Sequence, residues 1–179
     1  MLPEIGQAAL LLALAFAALQ GFAGLAGAAR SREDLAALTR TAALAQFVLV
    51  LAAYVLLTLA FVLQDFSVKY VADNSNSLLP LIYRYTAVWG AHEGSLLLWS
   101  LMLATWNAAV ATMSGRIPWS FRARALGVIG LVAVGFLSFM IFTSGPFERL
   151  LPAVPEGHDL NPLLQDPGMI IHPPLLYIG

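Results

Sequence analysis

The side chains best suited to chemistry in this sequence are three histidines, His92, His158 and His172. A neutral imidazole binds metal ions and heme iron, and it also serves as a hydrogen-bonding cap at a helix end. By residue type alone, a single histidine at the edge of an apolar segment is more often such a cap. The sequence contains no cysteine, which excludes disulfides, thiolate metal sites and a thiol nucleophile from this chain.

His172 lies in the segment with the most unusual composition, residues 161–179. The turn signal Asp166-Pro167-Gly168 precedes this histidine. The proline pair Pro173 and Pro174 follows it directly. A residue before proline favours an extended backbone, and proline suits the first turn of a helix. We therefore predict that His172 has an extended backbone at the top of a helix, at the boundary between water and lipid.

A second segment, residues 83–99, combines aromatic side chains, glycines and charge around Trp89, Gly90, His92 and Glu93. Glu93 suits the N-terminus of a helix, where the helix dipole favours negative charge, and Trp89 suits the aromatic belt of a membrane interface. The simpler interpretation is a helix start with an aromatic anchor. The alternative is a shaped platform for a flat ligand or a partner, because glycine permits close backbone approach.

Composition indicates that lipid surrounds the elements that position these residues. Hydrophobic residues make up 60% of the 179 residues and charged residues only 11%, against about 25% charged in soluble domains. Four charge-free stretches, each long enough to cross a bilayer, predict helices at 5–29, 41–64, 94–115 and 125–147. The expected fold class is therefore an all-α, polytopic transmembrane helix bundle.

The remaining chain is expected to form two longer loops, 65–93 and 148–171, and the start of a fifth membrane helix at 172–179. A half-helix that ended in lipid would leave backbone carbonyls unsatisfied. The sequence therefore predicts a single membrane domain that either is a fragment of a longer polytopic chain or is continued by a partner chain.

Orientation follows from basic residues, which are enriched in cytoplasmic loops. Six lie in the two shorter loops, namely Arg30, Arg32, Arg40, Arg116, Arg122 and Arg124. Three lie elsewhere, namely Lys69, Arg84 and Arg149. We expect the N-terminus and both longer loops to face outward. The net charge of −1 gives no indication of a nucleic-acid partner.

The predicted helices contain no ionisable residue in their cores, which disfavours a pump or a proton-coupled transporter in this part of the chain. Their polar exceptions are Gln20, Gln46 and Asn107. Glycines predict close helix packing in the first and fourth helices, at Gly21, Gly24, Gly27, Gly127, Gly130 and Gly135.

Two motifs closely resemble those of the CcmF-type cytochrome c maturation proteins, the membrane subunit of a heme lyase. They are WGAHEGSLLLW, residues 89–99, and NPLLQDPGMIIHPPLLYIG, residues 161–179. The resemblance covers the whole chain, because the order of the helices and the outward-facing N-terminus are also similar to those of the family. Ala91 and Met169 differ from the glycine and leucine expected for the family.

The resemblance implies a multi-pass protein of the bacterial inner membrane with periplasmic outer loops. Such a protein receives heme from a heme chaperone and positions it for thioether attachment to apocytochrome c, which a thiol-reducing partner presents. The implied role of His172 is that of an outer axial ligand of the heme b substrate. The resemblance also implies a second, structural heme b, which residues beyond Gly179 would hold. It further implies that any enzymatic role of this chain is exercised as part of the lyase. The resemblance does not identify His92 or His158 as a ligand of heme iron.

Two other functions remain open from the residues alone. A non-catalytic membrane subunit or docking scaffold of a redox or transport complex would use the outer loops as its contact surface. That function predicts no heme dependence and no effect of losing His172. A small-solute transporter is the weaker alternative, because it would need broken helices near the middle of the membrane, and the four predicted spans have no central proline or charge.

Overall fold

The computed structural model describes residues 1–113 and 117–178 and confirms the all-α class. Its elements are α1 (Leu2–Ala29), α2 (Glu33–Val62), α3 (Lys69–Asn74), α4 (Leu81–Ala87), α5 (His92–Met113), α6 (Trp119–Thr143), a 3-10 turn (Pro162–Gln165) and α7 (Pro167–Ile178). Helices α1, α2, α5 and α6 are long and apolar enough to cross a membrane by length and composition. In the described part of the chain, β pairing is limited to one isolated bridge, between Val68 and Arg149.

All four long helices differ in their bounds from the charge-free stretches, and the largest differences are in α2 and α6. Helix α2 begins at Glu33 rather than at residue 41, because acidic residues in a first turn favour the helix N-terminus instead of ending the helix. Helix α6 begins at Trp119 and ends at Thr143, four residues before the expected end at 147. Gly145 and Pro146 follow it, and the residue before a proline disfavours the helical conformation.

The predicted backbone of His172 is wrong, because this residue lies inside α7 rather than in an extended segment before it. The helix starts at Pro167, five residues before the predicted position, and includes Pro173 and Pro174 in its interior. The side-chain Oδ1 of Asp166 accepts hydrogen bonds from the backbone N–H groups of the second and third helical residues, at 2.8 and 3.2 Å. This cap nucleates the helix upstream of the histidine.

Three positions used in the sequence analysis lie outside the described residues. They are Gly115 at the end of the third predicted span, Arg116 in the second arginine-containing loop, and Gly179.

The chain divides into two compact units. The first contains Met1–Ala8, Ala52–Trp99 and Met140–Gly179, and it includes all three histidines. The second contains Ala9–Leu51 and Ser100–Phe139, and therefore most of the length of α1, α2, α5 and α6.

Close helix packing in the second unit depends on small residues. A Cβ added to Gly24 in α1 would lie 2.5 Å from the Ala123 carbonyl oxygen and 2.8 Å from the Cα of Gly127, both in α6. The two backbones therefore touch at this point, as the glycine pattern predicts. Gly135 is different, because a Cβ there would meet nothing within 4 Å. The packing prediction is wrong for that residue.

The three polar side chains of the predicted spans meet in the same unit. Gln20, Gln46 and Asn107 are at most 2% exposed. Asn107 in α5 exchanges two hydrogen bonds of 2.9 Å with Gln20 in α1 and donates a third, of 3.0 Å, to Gln46 in α2. A buried amide without a partner is costly in apolar surroundings, so this set links three helices at a defined depth.

Candidate functional site

The candidate site begins with the platform segment, residues 88–94, which connects α4 to the first turn of α5. Tyr70 of α3 lies under this segment and is only 3% exposed. Its hydroxyl is 3.1 Å from the carbonyl oxygen of Val88 and accepts a 3.1 Å hydrogen bond from the backbone N–H of Ala91. Burial raises the pKa of the Tyr70 phenol, so the hydroxyl stays protonated and able to donate.

Two glycines let the platform segment pack closely on its neighbours. A Cβ on Gly94 would lie 1.6 Å from the Val88 carbonyl oxygen, a distance no side chain can adopt. A Cβ on Gly90 would lie 3.1 Å from Leu164 and 3.3 Å from Leu160, which precede α7. The platform segment is therefore packed against the chain that leads to His172.

His92 and Glu93 begin α5. The Nδ1 atom of His92 shares a hydrogen bond of 3.1 Å with the hydroxyl of Ser144, which directly follows α6. Glu93 is half-buried in the first turn, where a carboxylate complements the helix dipole. The hydrogen bond to Ser144 connects the first turn of α5 to the end of α6 through the His92 side chain.

The proline pair removes two donors from the middle of α7. In an α-helix each N–H donates to the carbonyl four residues earlier, so Pro173 and Pro174 leave the carbonyls of Met169 and Ile170 without their helical donors. The indole Nε1 of Trp89 donates to the Ile170 carbonyl at 3.0 Å. A side chain of the first motif therefore supplies the hydrogen bond that a proline of the second motif cannot make.

Two further aromatic contacts attach α7 to the same region. The Tyr83 hydroxyl donates to the Gln165 carbonyl at 3.3 Å, just before α7. Trp99 and Tyr177 stack with ring centroids 5.7 Å apart and planes at 10°. The two motifs, distant in sequence, thus form one contiguous arrangement.

The His172 side chain is exposed on α7. Among residues 1–113 and 117–178, no side chain donates to or accepts from its imidazole, so both ring nitrogens are open to a bound group. The same residues hold no cluster of three or more metal-ligating side chains. A metal site with several protein ligands would need more such side chains near His172. A single exposed imidazole suits axial ligation of heme, because a heme iron takes one imidazole on a given face.

His158 lies in a separate arrangement in the first unit. Its Nδ1 is 3.6 Å from the Asp73 carboxylate, and its backbone N–H donates to the Ala72 carbonyl at 2.7 Å. The neighbouring carboxylate of Glu156 accepts from the backbone N–H groups of Ser77 and Gly157, at 2.8 and 3.1 Å. These contacts fasten the loop after α6 to the chain around α3.

The N-terminal end of α1 is tied to this loop as well. Arg149 forms an ion pair of 2.7 Å with Glu4 and also contacts Ser67 and Asp65. Lys69 pairs with Glu148 at 3.2 Å. Exposed pairs of this kind contribute little each, so they align the loop more than they stabilise it.

Sequence reasoning missed Tyr70, Leu160 and Ser144 as parts of the site. Nothing in their local sequence indicates a role, because each acts through a partner distant in the chain. Trp99 and Tyr177 belong to the recognised motifs, but their stacking was not predicted.

Comparison with known proteins gives consistent matches. The family model described as "Cytochrome C assembly protein" matches residues 89–179. The cytochrome c-type biogenesis protein CcmF of Pseudomonas aeruginosa is 53% identical over all of this chain, and that of Escherichia coli is 54% identical. A solved structure, "Cytochrome c Heme Lyase CcmF", superposes on 99% of this chain with a TM-score of 0.86 and 27% identity. This chain spans only 27% and 28% of the two biogenesis proteins and 28% of the solved chain.

Proposed function

The chain belongs to the cytochrome c assembly protein family, and from that premise we propose that it forms part of a membrane heme lyase for cytochrome c maturation. Its four long apolar helices make it a multi-pass membrane protein. The proposed location is the bacterial inner membrane, with the N-terminus and the segments 65–93 and 148–171 on the periplasmic side. Three features favour that location, namely the distribution of basic residues, the helix order and the similarity to CcmF proteins.

Heme is the substrate in this proposal, and His172 is its axial ligand on the periplasmic side. The exposed imidazole on α7, with no hydrogen-bonding partner among the described residues, is the observation that best supports this role. Axial imidazole sets the position of the iron and tunes its potential. The helix that bears the ligand is held by Trp89, which belongs to the other recognised motif.

The reaction served by such a site is addition of a cysteine thiol of the apocytochrome to a heme vinyl group. The sulfur–carbon bond forms at one vinyl carbon and the thiol proton is transferred to the other, so no oxidant or reductant is consumed in this step. The contribution of the protein is to hold heme and peptide in a fixed geometry, which removes much of the entropic barrier. The chain has no cysteine that would compete for the vinyl groups.

The proposed partners are a heme chaperone that delivers heme, the apocytochrome c that receives it, and a thiol-reducing partner that presents the apocytochrome. A second, structural heme b would be held by residues beyond Gly179. The three histidines of this chain all lie in the first compact unit, and none lies in the interior of the four long apolar helices.

The proposed function is tested by the yield of holocytochrome c in cells whose only copy of the full-length protein has His172→Ala. Heme stain measures thioether-linked heme, and membrane abundance of the variant is checked by immunoblot. His158→Ala is the matched control, since that histidine contacts Asp73 and is not a proposed ligand. We expect loss of covalent heme for His172→Ala alone. Normal yields for both variants at normal abundance would favour the docking-scaffold alternative.

A further inference from the structure

We propose that Trp89 is a positioning residue for His172, because its indole N–H takes the place of the backbone N–H that Pro174 lacks. The inference rests on the proposed function in one respect, that His172 binds the heme iron. The hydrogen bond itself, 3.0 Å from Nε1 to the Ile170 carbonyl oxygen, is a feature of the fold.

The helix needs an external donor at this point for a specific reason. Two consecutive prolines remove two consecutive hydrogen bonds of the ladder, and these bonds span the turn that contains His172. Below that turn, Asp166 caps the helix start, and beyond it Tyr177 stacks on Trp99. Between these two contacts, only one side chain among the described residues hydrogen-bonds to the backbone of α7, and it is that of Trp89.

The position of Trp89 is itself determined by neighbouring contacts. It lies in the platform segment, which the buried Tyr70 hydroxyl holds through Val88 and Ala91. Its backbone carbonyl accepts a 2.8 Å hydrogen bond from the Ser95 hydroxyl in α5. The indole therefore projects from a fixed backbone, so its bond to Ile170 restrains the rotation and tilt of the turn that contains the ligand. A misplaced imidazole would weaken axial ligation without altering the fold of the rest.

The test uses the purified full-length protein, with hemin as the probe. Trp89→Phe keeps an aromatic ring and removes the N–H. We expect heme affinity to fall about tenfold, equivalent to about 1.4 kcal/mol, together with a changed Soret band and midpoint potential. Trp106→Phe makes the same chemical change at a 58% exposed position in α5 and is expected to leave both readouts unchanged. Wild-type affinity and spectrum for Trp89→Phe would overturn the inference.

The double variant Trp89→Phe with Pro174→Ala tests the hydrogen bond directly. Alanine restores a backbone N–H at position 174, so α7 can satisfy the Ile170 carbonyl without the indole. Recovery of affinity and spectrum relative to Trp89→Phe is expected. Failure to recover would show that ring shape, and not the hydrogen bond, matters. If Trp89→Phe does not accumulate, replacement of Trp89 by benzothienylalanine removes the N–H while keeping the size of the indole.

His172→Ala separates the two proposals in the same assay. If it binds heme with unchanged affinity and spectrum, the ligand assignment in the proposed function is wrong, whatever Trp89 does. If it loses heme ligation while Trp89→Phe does not, the proposed function stands and the positioning role is wrong.

Discussion

The side-chain amide of Asn107 in α5 lies opposite that of Gln20 in α1, and the two exchange a pair of hydrogen bonds, each 2.9 Å long. Both residues are fully buried. A reciprocal amide pair satisfies a donor and an acceptor on each side at once, so it fixes the register of α1 against α5. Gln46 extends the arrangement to α2 by accepting from Asn107.

Replacing Asn107 by leucine is expected to destabilise the bundle by about 1–3 kcal/mol, because the amides of two glutamines lose buried partners. Reversible unfolding in mixed micelles measures the change. Thr105→Ala is the control, since that exposed hydroxyl bonds only within its own helix, to the Leu101 carbonyl. Equal stability of the Asn107→Leu variant and the wild type would show that the amides find other partners.

Gly94→Ala is expected to prevent normal assembly of the platform segment. The added Cβ would lie 1.6 Å from the Val88 carbonyl oxygen and 2.6 Å from the Tyr70 hydroxyl oxygen, so the backbone itself must move. The measurement is the yield of folded protein by size-exclusion chromatography, together with its thermal stability. Gly135→Ala is the matched control, because its Cβ meets nothing within 4 Å and alanine favours a helix by about 0.5–1 kcal/mol over glycine. Similar behaviour of the two variants would contradict the packing described for Gly94.

Asp166→Ala is expected to fray the start of α7. The lost side-chain acceptor leaves two N–H groups of the first turn unsatisfied, at a cost of about 0.5–2 kcal/mol. Hydrogen exchange of the backbone amides of residues 168–172 measures the effect, with faster exchange expected in the alanine variant. Asp166→Asn keeps an acceptor oxygen in the same place and should retain most of the protection. Faster exchange in both variants would mean that negative charge, and not the cap, is the important property.

Acid is expected to loosen the loop that contains Glu156. Hydrogen bonds from Ser77 and Gly157 lower the pKa of this carboxyl below its ordinary value. A group with a lowered folded-state pKa contributes stability that is fully present above its unfolded pKa and is lost as the pH falls through the folded pKa. Amide exchange at Ser77, corrected for its intrinsic pH dependence, should therefore lose protection as the pH falls through the lowered pKa of Glu156. Glu156→Gln keeps an acceptor oxygen for the Ser77 N–H, so it should show protection that does not fall with acid. An acid response in that variant that matched the wild type would assign the effect to another group.

The sequence by itself determined the properties that depend on neighbouring residues along the chain. Length and lack of charge predict each long helix without reference to the others, because a membrane helix satisfies its own backbone hydrogen bonds. The same local information identified Trp89, Gly90, His92, Glu93 and His172 as unusual, and the two motifs gave the family. It failed at boundaries such as Glu33 and Thr143, where charge and proline act through helix-end chemistry that a count of apolar residues ignores.

Only the tertiary structure decided which distant residues meet. Proline spacing placed His172 before a helix, whereas the cap at Asp166 and the indole of Trp89 allow a helix to continue through two prolines. The acceptor that Pro174 leaves open can be read from the sequence. The donor that fills it lies 81 residues away, and chain folding alone brings the two together. A hydrogen bond between distant residues depends on the packing of all the elements between them, so its partners leave no pattern in the local sequence of either one.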